Sequence, residues 1–353
     1  MEKKTVKDFT AKVFDDLSGA MASGLAYVGT RTGLFRAMTE RGPMTLEEVI
    51  SRSALQPRYV EEWLKGMVCS EYLKYDPVDQ TFELPEEHGF MLSSDGSDHF
   101  IGGLFYAIPM AIGMAPRVAQ AFFDGGGVPF EDYGEEGIEA IDLMNRGLYE
   151  QRFANYWLKS IPDVYSQLVS GGRVLDFGCG TGRATLALAN AFPNSEFIGL
   201  DTNPGSIRKA QSYSKESGFM GQIHFVCESL DNFAKAGVGD FDLITACDCI
   251  HDLTNPVNVM MGLKGLLKVK GTLFVVEPKV ADRLEDNINS IGSLYYGMSV
   301  FHCMTQCLAD GGYSYGTCMG AAQLRALVNS AGFRRFEVLE IKSQTTSFYS
   351  IGR

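Results

Sequence analysis

Val174-Leu175-Asp176-Phe177-Gly178-Cys179-Gly180-Thr181-Gly182 is the stretch from which the rest of the chain is read. The short apolar run from Arg173 to Phe177 predicts a buried parallel strand, and Arg183-Ala184-Thr185-Leu186-Ala187-Leu188-Ala189 carries apolar residues at helical spacing. Strand, glycine turn and helix thus follow one another directly. Glycines let the backbone come close to a ligand and adopt positive φ, and the free N–H groups at a helix start favour a carboxylate or phosphate. The loop therefore predicts a nucleotide-like ligand.

The next apolar run, Phe197-Ile198-Gly199-Leu200-Asp201, ends on an acid nineteen residues beyond Gly182, with Thr202 beside it. A carboxylate at that distance can accept hydrogen bonds from ribose hydroxyls. A dinucleotide fingerprint counted from Gly178 requires Gly or Ala at position 183, where Arg183 stands. The pattern Asp176-x-Gly178-x-Gly180-x-Gly182 instead resembles the cofactor loop of class I S-adenosylmethionine-dependent methyltransferases. That resemblance implies S-adenosylmethionine as cofactor and Asp176, the three glycines, Asp201 and Thr202 as its contacts.

A chain of 353 residues suggests about two domains, since one typically takes roughly 100–200 residues. Hydrophobic residues make up 45% and charged residues 21%, as in ordinary globular proteins. No apolar run approaches the roughly 18 residues of a membrane span, and the charged start Met1-Glu2-Lys3-Lys4 lacks a signal core. No membrane association and a cytoplasmic location are the expectations. The eight cysteines include no CxxC pair and no accompanying histidine cluster, so they read as buried thiols and no metal site is expected. A net charge of −12 repels nucleic acid at long range.

Residues 8–40 carry helical patterns. Thr45 with Glu48 forms a helix-start signature, and Gln56 to Tyr72 holds Tyr59, Val60, Trp63, Leu64, Met67 and Val68 at helical spacing. Two short strands about Asp76-Pro77-Val78-Asp79-Gln80 then complete a helix, turn, helix and wing. Between Glu40 and Lys65 stand five acids and four bases, which is no basic stripe for DNA. The same module dimerises many small-molecule O-methyltransferases, so the resemblance implies a homodimer. Residues 1–97 are expected as this domain, 98–170 as a helical connector and pocket wall, and 171–353 as the cofactor domain. In the last, strands at 173–177, 196–200, 222–227, 241–246 and 271–277 alternate with helices, then two strands follow at 334–341 and 346–351. An α/β fold with a seven-stranded Rossmann-like sheet, its last strand antiparallel, is predicted, as in the class I methyltransferases it resembles. The apolar insertion 282–320 reads as a lid over substrate or as a second dimer surface.

Further site residues come from the resemblance. Glu228 and Ser229 stand where these enzymes meet the adenine. Cys247, or alternatively Asp248, stands where the methionyl amino group is held. Cys249-Ile250-His251-Asp252-Leu253 looks like the His-Asp-Trp signature of caffeate- and hydroxyindole-type O-methyltransferases, with Leu253 in place of Trp. Its histidine implies a base at His251, oriented by Glu277 at the end of the fifth strand; a second glutamate usual near the last helix has no counterpart in Thr317-Cys318-Met319-Gly320. Leu148, Tyr156, Tyr295, Met298 and His302 are the expected walls of a pocket for a small aromatic or apolar acceptor. A winged-helix transcription regulator that senses the cofactor is the alternative class.

Overall fold

The structure, a computed structural model, describes residues 2–219 and 221–353. They fall into two compact units, one running to Met110 and including Leu143–Gly147, the other comprising Ala111–Asp142 and Leu148–Arg353. The connector expected over 98–170 is therefore divided. Phe105 packs on the core of the first unit, whereas Phe153 and Trp157 lie in a core of the second.

In the first unit, a helix of 30 residues, Lys3–Thr32, precedes Leu34–Met38, Leu46–Ser53 and Pro57–Cys69. Thr45 Oγ1 accepts from the Glu48 N–H at 3.3 Å while Glu48 Oε2 accepts from the Thr45 N–H at 2.8 Å, so two otherwise orphaned donors are satisfied at that helix start. Strands β1 (Lys74–Asp76) and β2 (Thr81–Glu83) pair antiparallel, with Met44 bridged to Phe82. Phe35, Trp63, Leu64 and Met67 fill the core beneath. The long helix leaves Phe9, Phe14, Leu17 and Met21 exposed along it; Phe14 and Met21 are 68% and 71% accessible.

The second unit is built on seven strands: β3 (Arg173–Phe177), β4 (Glu196–Asp201), β5 (Ile223–Cys227), β6 (Phe241–Cys247), β7 (Leu267–Pro278), β8 (Arg335–Val338) and β9 (Thr346–Gly352). Their order is β5-β4-β3-β6-β7-β9-β8, with β3 to β7 parallel and β9 antiparallel to both of its neighbours. This is the sheet predicted from the sequence. Successive side chains of β3 serve opposite faces, so Val174 enters one buried cluster and Leu175 the other. Phe274 and Phe348 are fully buried and stacked on adjoining strands, where truncation to Ala costs about 3–5 kcal/mol.

A buried carboxylate ties the sheet to the glycine loop. Asp176 sits in register with Thr245 of β6, whose hydroxyl donates to Asp176 Oδ1 at 2.7 Å, while Thr185 of the helix Arg183–Ala191 donates to Oδ2 at 2.6 Å. Burial pushes its pKa up to about 6, with the two hydroxyls opposing. A carboxylate raised in this way favours folding at low pH, and that contribution is lost as pH rises from the unfolded value through about 6. Asp176→Asn removes the titration and keeps a side chain able to pair with both hydroxyls. Denaturant unfolding should thus show wild type gaining on Asp176→Asn by up to about 2–3 kcal/mol between pH 7 and 4; a pH-independent difference would contradict this reading.

Candidate active site

The carboxyl ends of β3, β4, β6 and β7 converge on one side of the sheet, where open α/β folds bind ligands. Gly178, Gly180 and Gly182 have φ of +67°, +52° and +78°, a region that L side chains rarely adopt. A Cβ at Gly178 would meet Cys249 at 2.9 Å and one at Gly182 would meet Phe225 at 2.5 Å, whereas nothing lies within 4 Å of a Cβ at Gly180. The loop is packed at both ends and open in the middle. That opening is the cradle a ligand needs.

Asp201 closes one side of it. Its Oδ2 accepts from the Gly180 N–H at 2.9 Å and its Oδ1 from the Asn203 N–H at 2.8 Å, leaving further lone pairs for hydroxyls. Thr202, Glu228 and Ser229 are exposed at the neighbouring strand ends. Ser229 caps the helix Leu230–Lys235 through the Asn232 N–H at 3.3 Å, and Asn232 donates to Glu228 Oε2 at 3.2 Å. Asp176 is placed differently from these. Both its oxygens are taken by threonines and it is 1% exposed, so it supports the loop from below rather than facing the opening.

Arg183, the residue that breaks the dinucleotide pattern, is bound to Asp142 through Nε at 2.8 Å and Nη2 at 3.0 Å and to Glu150 at 3.2 Å, with Tyr213 under its guanidinium. Asp142 Oδ1 also accepts from Thr181 Oγ1. These acids clamp the start of the loop helix. Their distance in sequence hid them.

At the end of β6, Cys247 is buried and Asp248 takes φ +51°, a strained conformation for a residue with a side chain. The Asp248 N–H donates to Val276 O at 2.8 Å, and its Oδ2 accepts from the Tyr149 hydroxyl at 3.1 Å. Burial, then the nearby Glu277 charge, raises the Asp248 pKa to about 6. Tyr149 is a partner that sequence reasoning missed, since its aromatic neighbours Phe153 and Trp157 make it resemble plain core.

His251 and Glu277, expected as partners from two separate strands, are brought together. His251 Nδ1 contacts Glu277 Oε2 directly, and Glu277 Oε1 accepts from the Ile250 N–H at 2.9 Å. Both carboxylate oxygens are thus committed and the imidazole plane is fixed, with Nδ1 donating to Glu277, so that Nε2 is the nitrogen that gains or loses the ring's exchangeable proton. Burial alone would lower the His251 pKa, but the Asp252 and Glu277 carboxylates outweigh it and hold the imidazole well above 6.5. Asp252 Oδ1 lies 3.2 Å from Nε2, and Gln306 donates to Asp252 Oδ2 at 2.7 Å.

The segment 282–320 folds as the helix Ser290–Met298, a widened turn Ser299–Cys303 in which the Met304 N–H reaches back to Ser299 O, and Met304–Ala309. Tyr295 donates to Thr345 O at 2.8 Å and has its pKa raised to about 12 by burial and then by Asp248. Met298 is partly buried, and His302 is buried with its ring edge-on to Tyr133 at 4.8 Å. Leu148 packs beside the Phe153 and Trp157 cluster. Tyr156 does not share this enclosure: it is 44% exposed, with Arg152 over its ring at 5.9 Å. Its helix widens over Phe153–Trp157, which turns Phe153, Ala154 and Trp157 inward and Tyr156 outward.

Fold and loop together define a methyltransferase domain. Residues 168–328 match the methyltransferase domain family model, and residues 20–94 match that of the Rv2258c-like winged HTH domain. The chain therefore joins a winged helix-turn-helix domain to a methyltransferase domain. A ubiquinone biosynthesis O-methyltransferase of Xanthomonas campestris is 30% identical over 105 residues, 30% of this chain and 42% of that protein. The chain spans less than half the length of the first curated relatives it matches. Among solved structures, a mitomycin 7-O-methyltransferase superposes with TM-score 0.72 at 13% identity, covering 100% of both chains. Human N-acetylserotonin methyltransferase, solved with S-adenosylmethionine, superposes with TM-score 0.68 at 19% identity over 98% of this chain and 97% of that one. Among the described residues no helix is long and apolar enough to cross a membrane.

The electrostatics of His251 have a measurable sign. Its imidazolium should persist above pH 6.5 in an NMR titration, and Asp252→Asn, which removes one of the two charges holding the proton, should move the midpoint down. A wild-type midpoint at or below 6.5 would contradict the assignment.

Proposed function

We propose that the chain transfers the methyl group of S-adenosylmethionine to a hydroxyl of a small aromatic or apolar acceptor, with His251 as the base. The observation that carries this reading is the His251–Glu277 pair, held rigid at the strand ends next to the glycine loop. The O-methyltransferases that the chain is similar to support it.

The open centre of the loop at Gly180 fits the cofactor. In this reading, the loop N–H groups and Asp201 hold its ribose side, Glu228 and Ser229 meet the adenine, and the Cys247 carbonyl or Asp248 holds the amino group. Once bound, the cofactor supplies an electrophilic methyl carbon. The protein's part is to hold the acceptor oxygen in line with that carbon, to exclude water and to take a proton. A phenol has a pKa near 10, so a positioned base contributes the usual 10²–10⁴-fold. Glu277, on Nδ1, leaves Nε2 as the nitrogen facing the acceptor and stabilises the imidazolium. The ring therefore serves as base in the molecules whose Nε2 has lost its proton, and turnover rises as pH passes its raised pKa. Leu148, Tyr295, Met298 and His302 supply walls for the acceptor, and the segment 282–320 covers it.

A homodimer is part of the reading. The exposed stripe Phe9, Phe14, Leu17 and Met21 fits a second copy of the chain better than water. DNA binding is disfavoured: on the helix Pro57–Cys69, Arg58 pairs with Glu61 and Glu62, and Lys65 with Glu61, so its bases are already countered. Free thiols at all eight cysteines suit a reducing cytoplasm.

Calorimetry should give micromolar binding of S-adenosylhomocysteine, roughly −8 kcal/mol, and Asp201→Ala should weaken it by roughly 1–3 kcal/mol. His251→Asn should leave that affinity nearly intact while removing roughly two to four decades of turnover on a hydroxyl acceptor. Unchanged turnover would exclude the base. Light scattering should give a dimer that Phe14→Glu with Leu17→Glu separates; a monomeric wild type at micromolar concentration would refute the dimer.

A further inference from the structure

We propose that His251, Asp252 and Cys303 form a binding site for a divalent cation of the zinc class, independent of the methyl-transfer reading although it uses the same imidazole. Each offers one ligand atom, and the three atoms lie within 4.8 Å of one another. A four-coordinate zinc with nitrogen, oxygen and sulfur ligands sets them about 3.3–3.6 Å apart. The 3.2 Å between His251 Nε2 and Asp252 Oδ1 is already close to that spacing, so the adjustment falls on the Cys303 side chain.

The supporting shell is in place. Glu277 on Nδ1 presents Nε2 outward, the carboxylate–histidine–metal arrangement that orients metal-bound imidazoles. Gln306 holds Asp252 Oδ2, while the buried Asp252 Oδ1 accepts no hydrogen bond and has His251 Nε2 beside it at 3.2 Å. A buried oxygen without a partner costs folding free energy, and a cation on it removes that cost. The widened turn Ser299–Cys303 brings the thiol to the site, with His302 Nδ1 3.6 Å from its sulfur. Imidazole, carboxylate and thiolate together favour zinc or cobalt over magnesium or calcium. Three protein ligands leave a fourth position open, as in catalytic rather than structural zinc sites. Binding releases both the Cys303 thiol proton and the proton on His251 Nε2, so that nitrogen holds either the cation or a proton, never both.

The sequence alone pointed away from this site because Cys303 lies about fifty residues beyond Asp252. Titration of the reduced full-length chain with Co²⁺ should produce a thiolate-to-cobalt charge-transfer band and four-coordinate d–d bands that Zn²⁺ displaces. Cys303→Ala should abolish the charge-transfer band, whereas replacing the exposed Cys69 and Cys227 by Ala should leave it. Glu277→Gln should weaken cobalt binding by roughly 10–100-fold, the usual effect of removing such a partner. If Cys303→Ala does not fold, Asp252→Asn, which retains the thiol, should still weaken the band. No band in wild type, or a band that survives Cys303→Ala, overturns the site. Loss of turnover in His251→Asn without cobalt binding would leave the base reading standing and this one refuted; cobalt binding with unchanged turnover would do the reverse.

Discussion

The second unit depends on a buried charge that is costly to keep. Asp176 is fully enclosed between β3, β6 and the helix after the glycine loop, and two threonine hydroxyls are what make its burial tolerable. Removing either hydroxyl would take a hydrogen bond from a buried carboxylate, which costs more than the bond alone contributes. In return, the strand end, the loop and the first turn of the helix are held as one piece. The positive-φ glycines can then keep a shape that an untethered loop would lose.

A second tie, built in the same way, lies on the neighbouring pair of strands. Glu277 has one oxygen on the Ile250 N–H and the other on His251, so the chain leaving β6 is attached to the end of β7. The charges around it are unbalanced. Asp252 and Glu277 flank one imidazole, which explains why the ring holds its proton, and burial followed by the Glu277 charge drives the Asp248 carboxyl upward. Such crowding of like charges is tolerated where a site must bind a cation or form one during reaction.

What could be read from the sequence was whatever is local. The seven strands, the winged helix and the glycine loop each have a short-range signature, since alternation, capping and turn residues act over a few positions. Glu277 was named from the resemblance, and it ends β7 beside the turn Ile250–Asp252 that follows β6 and carries His251. Tyr149, Asp142 and Cys303 were not, because their roles arise from helix faces that meet the sheet only after folding. Asp176 was assigned to the ligand on motif alone, and the hydroxyls that occupy it come from residues nine and sixty-nine positions away. Tyr156 was named as a pocket wall from the resemblance, and the helix that carries it departs from regular spacing over Phe153–Trp157.

Among the described residues, widened turns occur at Phe153–Trp157 and at Ser299–Cys303. Each amounts to one extra residue lodged in a helix, and a residue advances a helix by about 100°. Excising a single residue from Ser299–Cys303 would therefore restore ordinary winding and swing everything on one side of the cut by more than a quarter turn. The His302-Cys303 pair would lose its alignment without any change in its chemistry. Length, rather than side-chain identity, is the heritable variable here: a one-codon deletion could silence this wall of the site, and a one-codon insertion could create it.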